Sequence, residues 1–371
     1  MLNNNELLKK IQHHIHKLSV DIGERPTGSA ANLRAEDYIK QVFLRNNFQV
    51  ELQTFDCIDW ENNETTLSIG TTKFCVEPSP YSLPCDVQAD IEIIKNILQL
   101  KNSDLSGKIT VLCGELTQEP LMPKNFRFYN PEHHQKIIHL LEEKNPQAIL
   151  TASVSDKQLV PVFEDGDFDI PSAVLSKTDS DAVLRWSDFA NAQRNSPVHL
   201  KINSKRKQAV GANVIARKTQ ADQDKLVITA HFDTKVGTAG ALDNAVGVSV
   251  LLILSEMLKE TVPIGIELVA FNGEDYFSTP GQIAYLDTYH SEFGQIKLAI
   301  NCDGVGLKNS KTGISLMGCS EKYVQQVESI YQAFKSIEKI PPWYQGDHML
   351  FVSKKVPTLA IYSRRLRYGH F

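Results

Sequence analysis

The sequence predicts an α/β fold with a mixed, mostly parallel central sheet flanked by helices. A short apolar run from Leu226 to Ile228 includes β-branched residues and stops at His231, as a buried strand of such a sheet would. After a polar loop, the apolar stretch from Val246 to Leu258 is long enough for a helix packed on the sheet. Further apolar runs of strand length follow at 264–271, 296–302, 313–319 and 356–363.

The chain is predicted to contain a catalytic domain in two parts, 1–59 and 196–371, separated by an insertion at 60–195. The length suits two domains, or one domain with a large insertion. The segment 60–195 differs from the flanking segments in its sequence pattern. It holds short β-like runs, several prolines and no cluster of metal-ligand residue types. Helical spacing of apolar residues predicts helices at 5–18, 30–46, 131–144 and 321–338. The run after Ile170-Pro171 is predicted to be an edge strand, and the adjacent His133 and His134 are predicted to lie at the surface.

Composition excludes several classes of protein. The 39 basic and 44 acidic residues give a net charge of -5, so a nucleic-acid partner is not expected. No apolar run reaches membrane-spanning length, and the polar N-terminus does not resemble a signal peptide. The six cysteines form no C-x-x-C pair, so free thiols are expected, with Cys75–Cys85 as an alternative disulfide. A cytoplasmic location is the simplest prediction.

Chemistry-bearing side chains follow the predicted strands at the points where the strands end. Ligands of open α/β sheets bind at the carboxyl edge of the strands, so these side chains are expected to meet there. Taken singly, a histidine at a strand end is usually structural, and an aspartate before a helix is usually an N-cap. The set consists of His231, Asp243, Glu274, Asp275, Asp303 and His370.

Four carboxylates and two imidazoles at one edge would repel one another strongly without cations. Mixed histidine and carboxylate ligands suit zinc, and two ions are predicted. A shared carboxylate can hold two metals about 3.5–4 Å apart. A carboxylate that is not a ligand could accept a proton during the reaction.

Four ordered motifs resemble those of the co-catalytic di-zinc aminopeptidases, which include bacterial leucyl aminopeptidases and glutamate carboxypeptidase II. They are His231-F-D, A-L-Asp243-N-A-V-G, F-N-G-Glu274-D and N-C-Asp303-G-V-G. The resemblance covers about 1–59 and 196–371. It implies a zinc-exopeptidase type of sheet, and the middle of the chain resembles the β-rich protease-associated domain that many members insert.

The resemblance also implies the metal ligands. His231, Asp243 and Asp303 would hold one zinc ion. Asp243, Asp275 and His370 would hold the other, with Asp243 bridging the two.

Two further roles follow from the same resemblance. Glu274 would be the general base toward the catalytic water and then the proton donor to the leaving amine. Asp233 would orient the imidazole of His231 without binding the metal itself. The family also implies a cis peptide bond between Asp243 and Asn244.

The sequence departs from the family pattern at two positions. Asp275 stands where most aminopeptidases carry glutamate, and the chain stops one residue after His370. Both departures concern the second metal, so one zinc in place of two is an alternative. His348 is a reserve ligand.

The predicted function is zinc-dependent hydrolysis of N-terminal peptide bonds in peptide or aminoacyl substrates. Tyr344 or Tyr368 could donate a hydrogen bond to the oxyanion. Two alternatives stay open: a single-zinc acyltransferase similar to glutaminyl cyclase, and an inactive peptidase fold that serves as a binding module. An oligomer is possible.

Overall fold

The structure is a computed structural model that describes residues 4–153, 159–190, 197–218, 223–258, 260 and 264–364. No helix among these residues combines the length and apolar character needed to cross a membrane. The helices are α1 (Asn4–His16), α2 (Ala30–Arg45), α3 (Ile97–Asn102), α4 (Glu132–Lys144), α5 (Lys177–Ala190), α6 (Val246–Met257), α7 (Pro280–Tyr289), α8 (Glu321–Tyr331) and α9 (His348–Ser353).

The strands follow the same chain order. They are β1 (Gln49–Ile69), β2 (Thr72–Phe74), β3 (Val76–Pro78), β4 (Cys85–Ala89), β5 (Ile91–Ile94), β6 (Ile109–Leu112), β7 (Ala148–Ala152), β8 (Ser172–Leu175), β9 (Val198–Lys218), β10 (Lys225–His231), β11 (Gly265–Phe271), β12 (Ile296–Cys302), β13 (Thr312–Met317), β14 (Ile337–Lys339) and β15 (Thr358–Ser363). Short helical turns of other pitch lie at Lys17–Ile22, Gly114–Thr117, Ala241–Ala245 and Phe293–Gln295.

The chain divides into two compact units. The first comprises Met1–Cys57 and Gln208–Phe371, and the second comprises Ile58–Lys207. The predicted insertion at 60–195 lies within the second unit.

The first unit contains a sheet with the strand order β14-β13-β15-β12-β10-β11-β9-β1. Strand β10 is parallel to both of its neighbours, β11 and β12, and β12 is parallel to β15. Strands β9 and β13 are antiparallel to their neighbours β11 and β15. The predicted mixed, mostly parallel sheet is therefore confirmed.

Apolar residues cover both faces of this sheet, as expected for parallel strands flanked by helices. Ile228 and Ala230 of β10 pack in one buried cluster with residues of α2 and α6. Val227, which points to the opposite face, packs in another cluster with residues of α7 and α9. The two layers of helices hold the strands in place and leave the carboxyl ends of the strands free to carry polar groups.

The second unit has its own five-stranded sheet in the order β3-β8-β7-β6-β5. Strands β5 to β8 are parallel and β3 is antiparallel to β8. Apolar residues of α3 and α4 pack on one face of this sheet. The assignment of this unit to the protease-associated type stays a prediction.

Two local expectations were wrong. The helix expected at 321–338 ends at Tyr331, because Ile337 instead pairs with Thr312 in a parallel ladder. The strand after Pro171 is not at an edge, since β8 lies between β3 and β7. None of the six cysteines, all of which the structure describes, forms a disulfide, which removes the alternative disulfide.

Candidate metal centre

The carboxyl ends of three neighbouring parallel strands bring the predicted side chains together. His231 is the last residue of β10 and lies level with Phe271, the last residue of β11. The segment after β11 carries Glu274 and Asp275, and Asp303 directly follows β12. The order of these strands in the sheet, β12-β10-β11, places His231 in the middle.

The distances around His231 are those of a compact polar cluster. Its Nε2 atom lies 2.9 Å from an oxygen of Asp243, 3.5 Å from one of Asp303 and 4.0 Å from one of Glu274. One ligand atom from each of His231, Asp243 and Asp303 lies within 4.8 Å of the others, and the same holds for His231, Glu274 and Asp275. Asp243 and Asp303 are thus close enough to contact one ion.

The imidazole of His231 fits a cation better than it fits its protein neighbours. Its ring is 1% exposed, and neither ring nitrogen has a partner in hydrogen-bond geometry. Buried polar atoms without a partner are rare in folded proteins and require an explanation. One imidazole nitrogen beside two carboxylate oxygens is a donor set that zinc accepts, so these residues fit the ion that the resemblance implies.

Asp233 ties the middle strand to the segment after β11. It is fully buried, and its carboxylate accepts hydrogen bonds from the backbone N–H groups of Glu274 at 3.2 Å and Asp275 at 3.0 Å. Its Oδ1 atom lies 3.5 Å from Nδ1 of His231. A carboxylate in this position can orient the imidazole and, through the two N–H groups, the neighbouring acidic residues as well.

Charge crowding perturbs the acidic residues of the cluster. Burial raises the pKa of Glu274 well above its ordinary value. Burial, together with the nearby charge of Asp243, raises the pKa of Asp275 to about 8. Burial lowers the pKa of His231, but the neighbouring carboxylates of Asp233, Asp243 and Asp303 outweigh it and hold that pKa well above the ordinary value. The cluster therefore favours added positive charge, which a divalent cation supplies.

Asp243 lies near the start of α6, but Asn244 makes the side-chain contacts there. The peptide bond between Asp243 and Asn244 is cis, as the resemblance implied. Asn244 holds the start of α6 instead: its Nδ2 donates to the carbonyl of Cys302 at 2.9 Å, and its Oδ1 accepts from the N–H of Gly247 at 2.9 Å. The carboxylate of Asp243 is therefore available to His231.

Gly247 allows α6 to approach β12 at the site. A Cβ atom at this position would lie 2.3 Å from Oδ1 of Asn244 and 2.3 Å from the carbonyl oxygen of Cys302. We expect Gly247→Ala to lower the free energy of unfolding by about 1–3 kcal/mol, because the helix must move away from the strand. Thermal unfolding measures the loss. Gly294→Ala is the control, since a Cβ there meets nothing within 4 Å; equal melting temperatures for the two variants would contradict the expectation.

Four candidate site residues lie outside the described cluster of acidic residues around His231. His370 and Tyr368 lie outside the described residues. His348, the reserve ligand, is buried, and its Nε2 bonds the backbone carbonyl of Trp343 at 2.7 Å. It is in none of the metal-capable groups found among the described residues. Tyr344 is described and is 67% exposed.

One acidic residue near the cluster was not selected from the sequence. Asp347 is 2% exposed and accepts a hydrogen bond from Gln282 at 2.5 Å. Burial raises its pKa to about 7, and the charge of Asp303 adds to the shift. The only sequence signal was its place in a G-D-H loop, which also suits a purely structural residue.

A second group of metal-capable side chains lies in the other unit and is better explained by hydrogen bonds. It consists of Glu119, His133 and His134. The backbone N–H of Met122 donates to Nδ1 of His134 at 3.0 Å, so Nε2 carries the proton and faces Glu119 at 3.2 Å. That proton occupies the place a metal would need. The predicted surface position is right for His133 and wrong for His134, which is 4% exposed because it shares a helix face with buried residues of α4.

Comparison with known proteins confirms the family resemblance. Residues 213–370 match the model of peptidase family M28. This segment contains every residue of the metal cluster, so the candidate site lies within the part of the chain that matches the M28 model.

Two curated relatives are aminopeptidases. The chain is 21% identical over 324 residues to the probable leucine aminopeptidase 2 of Aspergillus oryzae, covering 82% of this chain and 62% of that protein. It is 24% identical over 322 residues to aminopeptidase YwaD of Bacillus subtilis, covering 85% of this chain and 64% of that protein. The chain thus spans less than two thirds of the length of these relatives.

Solved structures of aminopeptidases share the fold. The aminopeptidase from Aneurinibacillus sp. strain AM-1 has a TM-score of 0.72 and 21% identity, with 96% of this chain and 85% of that chain covered. A zinc aminopeptidase from Bacillus subtilis has a TM-score of 0.76 and 20% identity, with 96% and 84% covered. The predicted zinc-exopeptidase type of fold is confirmed.

Proposed function

We propose that the protein is a zinc-dependent aminopeptidase that hydrolyses N-terminal peptide bonds. The observation that carries the proposal is the cluster of His231, Asp243 and Asp303, whose ligand atoms lie within 4.8 Å of one another inside the part of the chain that matches the M28 model. The names of the relatives point to the same activity.

The first set of metal ligands is proposed from the motifs and the geometry together, and the second set from the motifs. His231, Asp243 and Asp303 would hold one zinc ion, and Asp243, Asp275 and His370 a second, with Asp243 shared. When bound, zinc supplies Lewis acidity that polarises the scissile carbonyl and lowers the pKa of water. Because its side chain is shorter than that of glutamate, Asp275 would bind the second ion less tightly, and this ion would be the more weakly held of the two.

Glu274 is the proposed general base. Its side chain is 22% exposed, so it borders the cluster and reaches solvent, and its backbone N–H is held by Asp233. Burial raises the pKa of Glu274, which is the direction of shift that favours acceptance of a proton from water. Glu274 accepts a proton from the attacking water and delivers it to the leaving amine, so the site ends each cycle in its starting protonation state.

The substrate class follows from the charge of the site. Carboxylate oxygens of the cluster that do not bind a metal would offer acceptors for an α-ammonium group. An unblocked N-terminus is therefore preferred over an acetylated one, and the substrates are peptides or aminoacyl compounds.

The test combines metal analysis with a panel of aminoacyl fluorogenic substrates. We expect at least one zinc ion per chain, turnover of free aminoacyl substrates, and none of their N-acetylated counterparts. Ring closure of an N-terminal glutaminyl peptide by a single-zinc protein would instead support the cyclase-like alternative. A zinc content near zero, with no turnover after zinc is added, would support the binding module.

A further inference from the structure

The side chain of Arg25 is buried completely, and its hydrogen bonds in the described structure go to backbone carbonyls. It is the largest side chain in the described structure with almost no exposed surface. The N···O distances run from 2.6 Å to 3.2 Å. The acceptors are the carbonyl oxygens of Leu18, Gly23, Phe232, Ala239 and Gly240.

Three of these carbonyls belong to the segment 232–243, which joins β10 to α6. This segment carries Asp233 near its start and Asp243 at its end. A Cβ atom at Gly240 would lie 3.0 Å from Nη2 of Arg25 and 2.6 Å from the carbonyl oxygen of Asp243. The guanidinium group therefore packs directly against the backbone that presents Asp243.

Thr27 and Asn32, which follow Arg25, contact Asn272, which lies just before the segment that carries Glu274 and Asp275. The hydroxyl of Thr27 lies 3.2 Å from Oδ2 of Asp233 and 3.2 Å from Oδ1 of Asn272. Asn32 and Asn272 exchange amide hydrogen bonds of 3.0 Å and 2.8 Å. Asn272 directly follows β11 and lies two residues before Glu274, so residues 25–32 contact both segments that carry acidic residues of the cluster.

We propose that residues 25–32, here named the Arg25 clamp, position the two segments that carry the metal ligands, with Arg25 as a positioning residue. This inference rests on the proposed function. Arginine suits the task because its planar fork of five N–H donors can satisfy several carbonyls at once, whereas lysine has three donors on one atom. With Arg25→Lys, buried carbonyls of the segment 232–243 lose their partners and the segment is free to shift.

The decisive variant is Arg25→Lys, and Arg217→Lys is its control. Arg217 is also largely buried and binds Glu267 and Glu51, but it lies on β9 opposite Glu267, four residues before the end of β11. Four quantities are measured: the half-time of zinc loss to a chelator, KM and kcat for an aminoacyl substrate, and the melting temperature of the metal-free protein.

We expect Arg25→Lys to shorten the half-time of zinc loss and to reduce kcat by about 10–100-fold, the usual effect of losing support for metal ligands, with KM unchanged. Arg217→Lys should lower the melting temperature of the metal-free protein and leave zinc loss and kcat as in the wild type. A purely structural role for Arg25 would make the two variants alike.

Thr27→Val tests the same clamp with little change in volume. It removes the hydroxyl that contacts Asp233, and we expect faster zinc loss without unfolding. Zinc loss at the wild-type rate in Arg25→Lys overturns the inference, and the same result in Thr27→Val overturns it if Arg25→Lys does not fold. A wild-type protein that binds no zinc would instead contradict the proposed function.

Discussion

Glu274→Gln is expected to abolish turnover while zinc remains bound. Glutamine keeps the size of the side chain but has no basic oxygen, so it cannot take a proton from the attacking water. General bases contribute about 10²–10⁴-fold to rates, so kcat should fall by at least about 10²-fold. The loss should appear in kcat and kcat/KM together, because the interaction is made in the transition state. Steady-state kinetics and metal analysis of the same preparation measure both effects.

The neighbouring residue provides the matched control for this prediction. Asp275 follows Glu274 directly and shares its backbone contact with Asp233. As a proposed ligand, Asp275→Asn should reduce the zinc content, whereas Glu274→Gln should not. If Glu274→Gln retains a tenth of the wild-type activity, the assignment of the base is wrong; if it loses zinc as Asp275→Asn does, Glu274 is a ligand instead.

Removal of the metal ions is expected to abolish turnover and to make stability fall as the pH rises. In the metal-free protein the pKa of Asp275 is about 8, above the usual value near 4 that it regains on unfolding. Between these two values the folded state binds more protons than the unfolded state, so the free energy of unfolding decreases with pH. For Asp275 this amounts to about 2 kcal/mol between pH 6 and pH 8.

Two other groups whose pKa is raised, Asp347 and His231, act in the same direction. The pKa of Asp347 is raised to about 7, so its contribution is lost as the pH rises toward that value. The pKa of His231 is raised by its carboxylate neighbours, so the stability it adds below pH 6.5 is lost as the pH rises through the folded value. Bound zinc replaces the protons and should flatten this dependence.

Thermal unfolding of the chelated and zinc-loaded protein at pH 6, 7 and 8 measures the effect. The gap between the two melting temperatures should widen as the pH rises. Metal-free Asp275→Asn serves as the control, because it removes one of the titrating groups and should show a shallower slope. A metal-free protein whose melting temperature rises over this range would contradict the electrostatic description of the site.

Much of the fold could be predicted because its signals are local. The apolar run before His231 and the apolar helix after Asp243 lie close together in the chain, and both form as expected, as β10 and α6. The prediction that the helix continues after Tyr331 was wrong because the deciding signal is not local. Its apolar spacing continues to Ile337, but pairing with Thr312, 25 residues earlier, decides the local conformation there.

The burial of polar residues was harder to predict than the positions of strands. His134 was expected at the surface, yet it is buried and hydrogen-bonded to the backbone of Met122. The sequence did not identify Asp347 and Thr27 as site residues, because nothing in their immediate sequence distinguishes them from ordinary loop residues. Their roles depend on partners that are distant in the chain.

By itself the sequence determined which chemical groups are present and in which order the elements deliver them. Imidazole and carboxylate groups follow strands, and parallel strands share an edge, so the types of ligand and their common location followed from local patterns. Only the tertiary structure decided the distances and supports: the 2.9 Å approach of Asp243 to His231, and the contacts of Arg25 with carbonyls more than 200 residues away. Those quantities depend on how helices pack on the sheet, and packing is set by contacts between distant segments that no single stretch of sequence contains.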